Sequence, residues 1–315
     1  MVTKIQNYLS LIKFAHTIFA MPFALIGFFI ASSNKEIISS YQWHLNDTIG
    51  WGTENLLGHM SAYRSQSLLV VFLLVILCMV FARSAAMAFN RYLDRQYDAQ
   101  NLRIAIREIP KGIIKPNSAL TFTIVNCILF IATAYFINPI CFVLSPVALF
   151  VVLGYSYTKR FTPLCHLVLG LGLSLAPIGA YLAVTGSFAF LPVLFSLAVL
   201  FWVSGFDIIY ALQDVEFDRG QQLNSLPVSM GVEKALHLSE LLHLLSAGAV
   251  VAAGKLGNFG WLYWLGVLVF GACLIYQHAI VKPKDLRRVN IAFMTTNGIA
   301  SVVFALFVIA DLFLR

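Results

Sequence analysis

Two groups of side chains in this sequence have the type and spacing that could hold a metal ion. The chain has only 14 acidic residues in 315, and five of them are the aspartates of the motifs N-x-x-x-D-x-x-x-D and D-x-x-Y-A-x-x-D-x-x-x-D. A helix turns by about 100° per residue, so spacings of four and seven keep each group on one face. The oxygen-bearing residues of the two stripes are Asn90, Asp94, Asp98, Asp207, Asp214 and Asp218.

Two acidic stripes at the same depth of a membrane repel each other unless a positive charge lies between them. Carboxylate and amide oxygens suit Mg²⁺, which is often shared with a substrate phosphate. Neither stripe contains His or Cys, which argues against zinc. The alternative is that these acids pair with nearby arginines at solvated helix ends. We favour a magnesium site, because Asp207 falls inside an apolar segment, where ionisable residues are costly and usually functional.

Basic residues near the stripes could bind a diphosphate group. Arginine matches phosphate oxygens with two parallel hydrogen bonds, and a few such donors together with Mg²⁺ would neutralise a diphosphate. For each of these residues the alternative is ordinary positive charge at a membrane surface. The residues concerned are Arg95, Arg103, Arg107, Lys111, Lys159 and Arg160.

The elements that carry these residues are predicted to be membrane-spanning helices. Hydrophobic residues make up 60% of the chain and charged residues 11%, whereas about 25% of a soluble domain is charged. This composition excludes a soluble enzyme and a disordered chain. A spanning helix needs about 20 apolar residues, so the sequence predicts an all-α polytopic bundle in which 1–315 forms a single domain. The nine predicted spans are 14–31, 68–90, 119–137, 140–158, 164–185, 190–212, 235–257, 260–281 and 290–313.

The distribution of basic residues predicts how the bundle is oriented. Nine spans place the two termini on opposite sides, and 16 of the 21 lysines and arginines then fall on the N-terminal side. The positive-inside rule makes that side cytoplasmic. We therefore expect the N-terminus and both acidic motifs on the cytoplasmic face of a bacterial-type inner membrane. Because the basic residues are divided among short loops, no nucleic-acid partner is expected.

The two motifs resemble the signature motifs of the UbiA superfamily of intramembrane prenyltransferases. Three further stretches are similar to that family: IKFAHTIFAMP at 12–22, REIPKG at 107–112 and YSYTKRFT at 155–162. The stretch QDVEFD at 213–218 resembles the branch that prenylates 4-hydroxybenzoate or a dihydroxynaphthoate. One departure is Arg91, which stands where many members have Asp.

The resemblance implies nine helices around a central cavity, and a reaction that joins a polyprenyl group to an aromatic ring. The implied substrates are a polyprenyl diphosphate and an aromatic acid precursor of ubiquinone or menaquinone, and the implied cofactor is Mg²⁺ held by the two stripes. The resemblance implies catalytic roles for Asp94, Asp98, Asp214, Asp218 and Tyr210. It also implies that Arg95, Lys159 and Arg160 bind the diphosphate. The residues expected to bind the acceptor are Lys13, His16, Arg107 and Tyr155.

Several alternatives remain open at the level of sequence. The acceptor could be a haem, a chlorophyll-like ring or a lipid, and a secondary transporter would also carry acids inside its spans. Small residues on the fifth span, such as Gly170, Gly172 and Gly179, fit close helix packing or a slot for a prenyl tail. His166 and the histidines after it lack ligand spacing, so we interpret them as structural or surface residues.

Overall fold

The protein is almost entirely helical. The computed structural model describes residues 2–12, 19–33, 42–43 and 67–314. Two antiparallel strands of two residues each, β1 (Gln42–Trp43) and β2 (Phe188–Ala189), form the only sheet among these residues. In chain order the helices are α1 (Val2–Leu11), α2 (Met21–Ser33), α3 (Leu68–Leu93), α4 (Arg95–Gln100), α5 (Pro116–Ile137), α6 (Pro139–Thr158), α7 (Cys165–Thr185), α8 (Phe190–Ala211), α9 (Val215–Gly220), α10 (Leu226–Met230), α11 (Val232–Leu256), α12 (Trp261–Ile280) and α13 (Asn297–Leu314).

The predicted all-α membrane bundle is confirmed, and its helix count is close to the nine expected. Eight helices in the described ranges are long and apolar enough to cross a membrane. They correspond to the second through ninth predicted spans. The remaining span, predicted at 14–31, overlaps α2, a shorter apolar helix of 13 residues. Positions 13–18 lie outside the residues that the structure describes.

Local turn chemistry sets the ends of several helices. Pro116 and Pro139 occupy the first turns of α5 and α6, where a missing N–H costs nothing. Asn138 caps α6 by accepting from the Cys141 amide at 2.9 Å, and its amide donates to the Leu182 carbonyl of α7 at 2.8 Å. Gly186 ends α7 with φ of 66°, a conformation that favours glycine.

Helix α8 runs through the centre of the bundle, packed between α7 and α11. Trp202 at its middle is fully buried among aromatic rings that include Phe23 of α2 and Phe270 of α12. Its indole N–H donates to Asn297 Oδ1 at 3.0 Å. Asn297 follows a π-helical turn, Ile291–Thr296. This core fixes the position of the helix that carries the second acidic motif.

An apolar cavity of about 420 Å³ lies between α3, α5, α6 and α7. The small residues of α7 divide between two faces. A Cβ at Gly170 would overlap Ser204 and the Leu200 backbone of α8, so this position serves close packing. Gly172 and Gly179 line the cavity instead, and a Cβ at Gly179 would meet no atom within 4 Å. Close packing therefore accounts for Gly170, whereas Gly172 and Gly179 border the cavity.

Candidate active site

The first motif forms a continuous stripe across the junction of α3 and α4. Asn90 lies in the last turn of α3, Asp94 links the two helices, and Asp98 lies in α4. Helical backbone bonds run through the junction, from the Asp94 amide to the Asn90 carbonyl at 2.9 Å and from the Asp98 amide to the Asp94 carbonyl at 2.8 Å. The Asn90 amide donates to Asp94 Oδ2 at 3.0 Å. The predicted four-residue stripe is present.

The second motif is interrupted by a change of helix type. Helix α8 ends at Ala211 and a 3₁₀ turn, Leu212–Asp214, leads into α9. A 3₁₀ turn has 3.0 residues per turn instead of 3.6, so it rotates the following residues relative to a continuous helix. Asp207 precedes the turn and faces α7, where its Oδ2 lies 2.7 Å from His166 Nδ1. Asp214 and Asp218 face the loops at the end of the bundle.

Each acid of the first motif pairs with a basic residue. Asp94 Oδ1 lies 3.0 Å from Arg160 Nη2, in the turn between α6 and α7. Asp98 Oδ1 lies 2.6 Å from Arg107 Nη1, and its Oδ2 lies 3.9 Å from Arg91 Nη1. Arg107 belongs to residues 101–115, which connect α4 to α5 and which we call the cap loop. The acids of the first motif are thus held from two directions.

The last two acids of the second motif are held by the same two segments. Asp214 Oδ1 accepts from Asn101 Nδ2 at 3.1 Å and from Arg103 Nε at 3.2 Å, and Arg103 also reaches Asp214 Oδ2. Asp218 Oδ1 lies 2.8 Å from Lys159 Nζ. The neighbours Lys159 and Arg160 therefore contact one acid from each motif, and the cap loop does the same. The structure brings the two motifs together at one end of the bundle.

These carboxylates are costly as anions in this environment. Burial raises the pKa of Asp94 to about 6, although Arg160 acts in the opposite direction. Asp98 and Asp218 are 3% and 1% exposed, and Oδ2 of each has no hydrogen-bond partner in the described part of the chain. Buried anions without full pairing gain most from an added cation.

The donor set fits a hard divalent cation by its chemistry. Carboxylate and amide oxygens are the ligands that Mg²⁺ takes. Two buried carboxylate oxygens, Oδ2 of Asp98 and Oδ2 of Asp218, could bind such a cation because they have no hydrogen-bond partner among the described residues. In the arrangement described, no three Asp, Glu, His or Cys side chains among the described residues surround a common metal position. The carboxylates do not converge on one position because each is paired with a lysine or arginine side chain instead. A metal held by three or more of these acids would require some of the bases to change partners.

Other residues predicted for the site have different surroundings. Arg95, at the start of α4, turns back toward the end of α3, where its Nη1 donates to the Tyr92 carbonyl at 2.6 Å, and it pairs with no acid in the described ranges. The Tyr210 hydroxyl accepts from Arg103 Nη1 at 3.1 Å, and its ring lies 4.2 Å from that of Phe293. Tyr155 lines the apolar cavity. Lys13 and His16 lie outside the described residues.

Two residues of the site were missed by sequence reasoning. Asn101 reaches Asp214 across 113 positions of sequence, and only its place three residues after the first motif could have pointed to it. His166, interpreted above as structural or surface, contacts Asp207 through Nδ1, while its Nε2 lies 3.4 Å from the Leu226 amide. His166 thus holds Asp207 on the α7 side of the site.

The fold and the site define an intramembrane enzyme with a charged end and an apolar interior, and family comparison identifies its class. Residues 56–299 match the model of the UbiA prenyltransferase family. The chain belongs to this family: it is an integral membrane protein and a transferase of prenyl groups.

Relatives and solved structures agree with that assignment. The 4-hydroxybenzoate octaprenyltransferase of Aeromonas salmonicida is 30% identical over 241 residues, which cover 75% of this chain and 80% of the relative. The apo structure of a UbiA homolog from Aeropyrum pernix has a TM-score of 0.72 at 24% identity, covering 95% of this chain and 97% of its own. A UbiA homolog from Archaeoglobus fulgidus, solved bound to GPP and Mg²⁺, has a TM-score of 0.67 at 20% identity, covering 97% and 99%.

Proposed function

We propose that this protein transfers a polyprenyl group from a polyprenyl diphosphate to an aromatic acid that is a precursor of ubiquinone or menaquinone. The observation that carries the proposal is the shared cluster of acids and bases above an apolar cavity. Its bases suit a diphosphate head, and the cavity suits an apolar tail. An amphipathic prenyl diphosphate needs both kinds of surface at once.

The acids are proposed to hold Mg²⁺ when the donor binds. The ligands would come from the oxygen-bearing side chains of the two motifs: Asn90, Asp94, Asp98, Asp207, Asp214 and Asp218. Bound there, Mg²⁺ supplies positive charge to the diphosphate oxygens, which stabilises the charge that develops on the leaving group. The likeness to the Archaeoglobus homolog bound to GPP and Mg²⁺ supports this cofactor.

The bases are proposed to exchange carboxylate for phosphate on donor binding. Arg103, Lys159 and Arg160 already lie at the cluster and each has a donor group that fits a phosphate oxygen. Their charge favours breaking the bond between the prenyl C1 and the diphosphate oxygen, with the electron pair leaving on oxygen. An electron-rich aromatic carbon then bonds to C1, and the ring loses a proton. Arg95, which faces Tyr92, is the least suited of the bases predicted for this role.

The apolar cavity is proposed to shield this chemistry from water. Water would trap the allylic cation, so the reacting carbon must be enclosed. The side chains around the cavity are almost all apolar, and Tyr155 is one of its few polar groups. We place the prenyl tail along the cavity-lining face of α7 that carries Gly172 and Gly179, which we call the glycine face.

We propose 4-hydroxybenzoate as the first candidate acceptor, on the basis of the name of a relative and of the second motif. The Aeromonas relative carries the name 4-hydroxybenzoate octaprenyltransferase, and the QDVEFD stretch resembles the same branch. A dihydroxynaphthoate is the second acceptor of this type. We further propose that the charged end faces the cytoplasm, because most basic residues lie on that side.

The direct test is a transfer assay with membranes that contain the protein. A labelled octaprenyl or geranyl diphosphate is supplied with a panel of acceptors, and the products are identified by mass spectrometry. We expect a prenylated aromatic acid whose formation stops in EDTA and resumes with added Mg²⁺. Prenylation of a haem or a glycerol phosphate lipid, with none on any aromatic acid, would replace the proposed acceptor class.

A further inference from the structure

A short basic loop lies at the charged end of the bundle, outside the cluster of ion pairs. Residues 281–290 join α12 to the π-helical turn before α13, and we call them the basic loop. The loop has four basic residues and one acid, so its net charge is +3. Among the described residues, none of these bases pairs with an acid of the two motifs. The four bases are Lys282, Lys284, Arg287 and Arg288.

Buried apolar side chains fix the path of this loop. Val281 and Val289, near its two ends, are 2% and 0% exposed. Both belong to an apolar cluster that includes Leu212 of the 3₁₀ turn. Between them, the Lys282 amide donates to the Asp285 carbonyl at 3.2 Å, and the Asp285 amide donates to the Lys282 carbonyl at 2.9 Å. The basic side chains therefore extend from a backbone that is held at several points.

Most of the positive charge of the loop is not neutralised by contact with a carboxylate. All four basic residues are exposed. Arg287 Nη2 lies 2.7 Å from Asp285 Oδ2, whereas Lys282 Nζ donates to a backbone carbonyl in the last turn of α12 at 3.0 Å. Neither Lys284 nor Arg288 lies within ion-pair distance of a carboxylate in the described part of the chain. The cap loop differs, because two of its arginines hold acids of the motifs.

The basic loop is also confined to the level of the lipid headgroups. It connects two helical segments that are long and apolar enough to span a membrane, Trp261–Ile280 and Ile291–Leu314. A connection of this length between two spans cannot carry its side chains far from the membrane surface. Lysine and arginine side chains directly beside a span attract anionic headgroups, and each charge raises the affinity by about fivefold.

We propose that the basic loop binds the phosphate groups of anionic phospholipids. The partner is membrane lipid and not the prenyl diphosphate, because the prenyl donor needs an apolar cavity beside its charged head. No residue of the basic loop lines the apolar cavity. The inference goes beyond the proposed function and does not depend on it, since lipid binding requires no turnover.

A lipid bound to this loop would stabilise the end of the bundle that carries the second motif. Asn290 Oδ1 accepts from Gln213 Nε2 at 3.4 Å, directly beside Asp214. Val289 shares its apolar cluster with Leu212, one turn of chain before the same acid. A ligand that binds the folded protein and not the unfolded chain raises the stability. Thermal unfolding should therefore report the binding.

The test titrates purified protein in neutral detergent micelles with anionic phosphatidylglycerol or with zwitterionic phosphatidylcholine. Phosphatidylglycerol should raise the unfolding temperature, and native mass spectrometry should show that it is retained in preference to phosphatidylcholine. Lys284→Gln/Arg288→Gln removes the two bases that lack a partner, and it should weaken the apparent Kd for phosphatidylglycerol by about 25-fold. High salt should also weaken binding to the wild type, because it screens exposed charges.

Two matched variants separate a lipid site from an effect of net charge. Lys111→Gln/Lys115→Gln removes the same charge from exposed positions of the cap loop, and it should bind phosphatidylglycerol as the wild type does. Lys284→Arg/Arg288→Lys keeps the charge and should also bind normally. If the double glutamine variant of the basic loop does not fold, Lys284→Gln alone should weaken the Kd by about fivefold. A wild type without preference for phosphatidylglycerol overturns the proposal, and so does an equal loss of affinity in the two double glutamine variants.

A kinetic measurement distinguishes lipid from donor. In vesicles of phosphatidylcholine alone, Lys284→Gln/Arg288→Gln should have the wild-type KM for the prenyl diphosphate. A raised KM in these vesicles would overturn the assignment to lipid and place the basic loop on the path of the donor. Failure of the proposed function would instead appear as wild-type membranes that prenylate no aromatic acid, while the preference for phosphatidylglycerol persists.

Discussion

At the scale of single residues, the site is organised as acids that each have a basic partner. Removing a charge from water is costly, and a buried ion pair with good geometry offsets much of that cost. Asp98 and Asp218 are the most buried of the set, and they pair with Arg107 and Lys159. The pairing allows a strongly acidic site to exist at the end of a membrane bundle. It also places the bases that we propose for phosphate binding beside the acids that we propose for metal binding.

The acids are predicted to be essential for turnover. Asp94→Asn and Asp214→Asn keep the size of each side chain but remove its charge, so either change should lower kcat by more than about 100-fold, the usual effect of losing a charge-stabilising group. The matched control is Asp285→Asn, an acid whose partner is the exposed Arg287. Initial rates normalised to membrane-bound protein measure the effect. Wild-type rates in both site variants would show that the motifs do not hold the cofactor.

The Lys159–Asp218 pair is predicted to contribute to stability as well as to binding. Lys159→Met leaves Asp218 buried without its partner, and because Lys159 is partly exposed we expect a loss of about 1–3 kcal/mol. The double variant Lys159→Met/Asp218→Asn removes both charges and should recover most of that loss while staying inactive. Thermal unfolding in detergent measures the stability, and the transfer assay measures the activity. Equal unfolding temperatures for the single and double variants would mean that the pair is not coupled.

The sequence predicted the site residues by type and could not predict their partners. Arg95 was expected at the diphosphate because it follows Asp94, yet adjacent helical residues point about 100° apart and do not share a face. Arg103 has no helical relation to Asp214, and only the path of the cap loop brings them together. His166 and Asp207 are likewise joined by the packing of α7 on α8. Contacts of this kind depend on tertiary structure and leave no mark in spacing.

At the scale of elements, the helices followed from the sequence while their interruptions did not. The eight long helices agree with the predicted spans to within a few residues, because apolar length and Pro, Asn and Gly signals set their ends. The 3₁₀ turn at Leu212–Asp214 begins where the apolar segment gives way to the polar second motif, and the π-helical turn at Ile291–Thr296 lies inside an apolar segment. The spacing of residues predicts neither turn. Such turns are often found at functional sites. Here the first of them directs Asp214 toward the cap loop.

The contact between α2 and α7 is predicted to tolerate no added methyl group. A Cβ at Gly27 would overlap the backbone carbonyl of Pro177, whereas a Cβ at Gly154 of α6 would meet no atom within 4 Å. Gly27→Ala should therefore destabilise the protein by about 1–3 kcal/mol, the range for overpacked positions. Gly154→Ala is the matched control and should be neutral or slightly stabilising, since alanine favours helix. Unfolding temperatures of the two variants in detergent test this prediction. Equal temperatures would show that the contact between α2 and α7 accommodates the added methyl group without cost.

The glycine face of α7 is predicted to set the donor length that the cavity accepts. Gly179→Leu places a side chain in open cavity space, so it should lower kcat/KM for a long prenyl diphosphate by roughly tenfold relative to geranyl diphosphate. Gly248→Leu on α11 is the control, because Gly248 is exposed and also has no atom near its Cβ position. Competition between two labelled donors gives the ratio directly. An unchanged ratio would place the prenyl tail elsewhere.

At the scale of the whole molecule, the arrangement matches the two parts of an amphipathic substrate. The charged cluster lies at one end of the bundle, and the apolar cavity lies among α3, α5, α6 and α7 within it. The N-terminal helix α1 supports the charged end, since Leu11 packs with Ile109 and Ile114 of the cap loop. A diphosphate can stay near the aqueous interface while its tail remains in the apolar interior.

The orientation of this arrangement is open to a labelling experiment. Leu102 of the cap loop is 94% exposed at the charged end, and Lys255 is exposed at the last turn of α11, at the opposite end. In a background without the five native cysteines, the Leu102→Cys and Lys255→Cys variants are treated with a membrane-impermeant maleimide. The positive-inside rule predicts that Leu102→Cys is labelled only in inside-out vesicles and Lys255→Cys only in right-side-out vesicles. The reverse pattern would place the active site outside the cytoplasm, and the diphosphate donor would then have to reach it from the other face of the membrane.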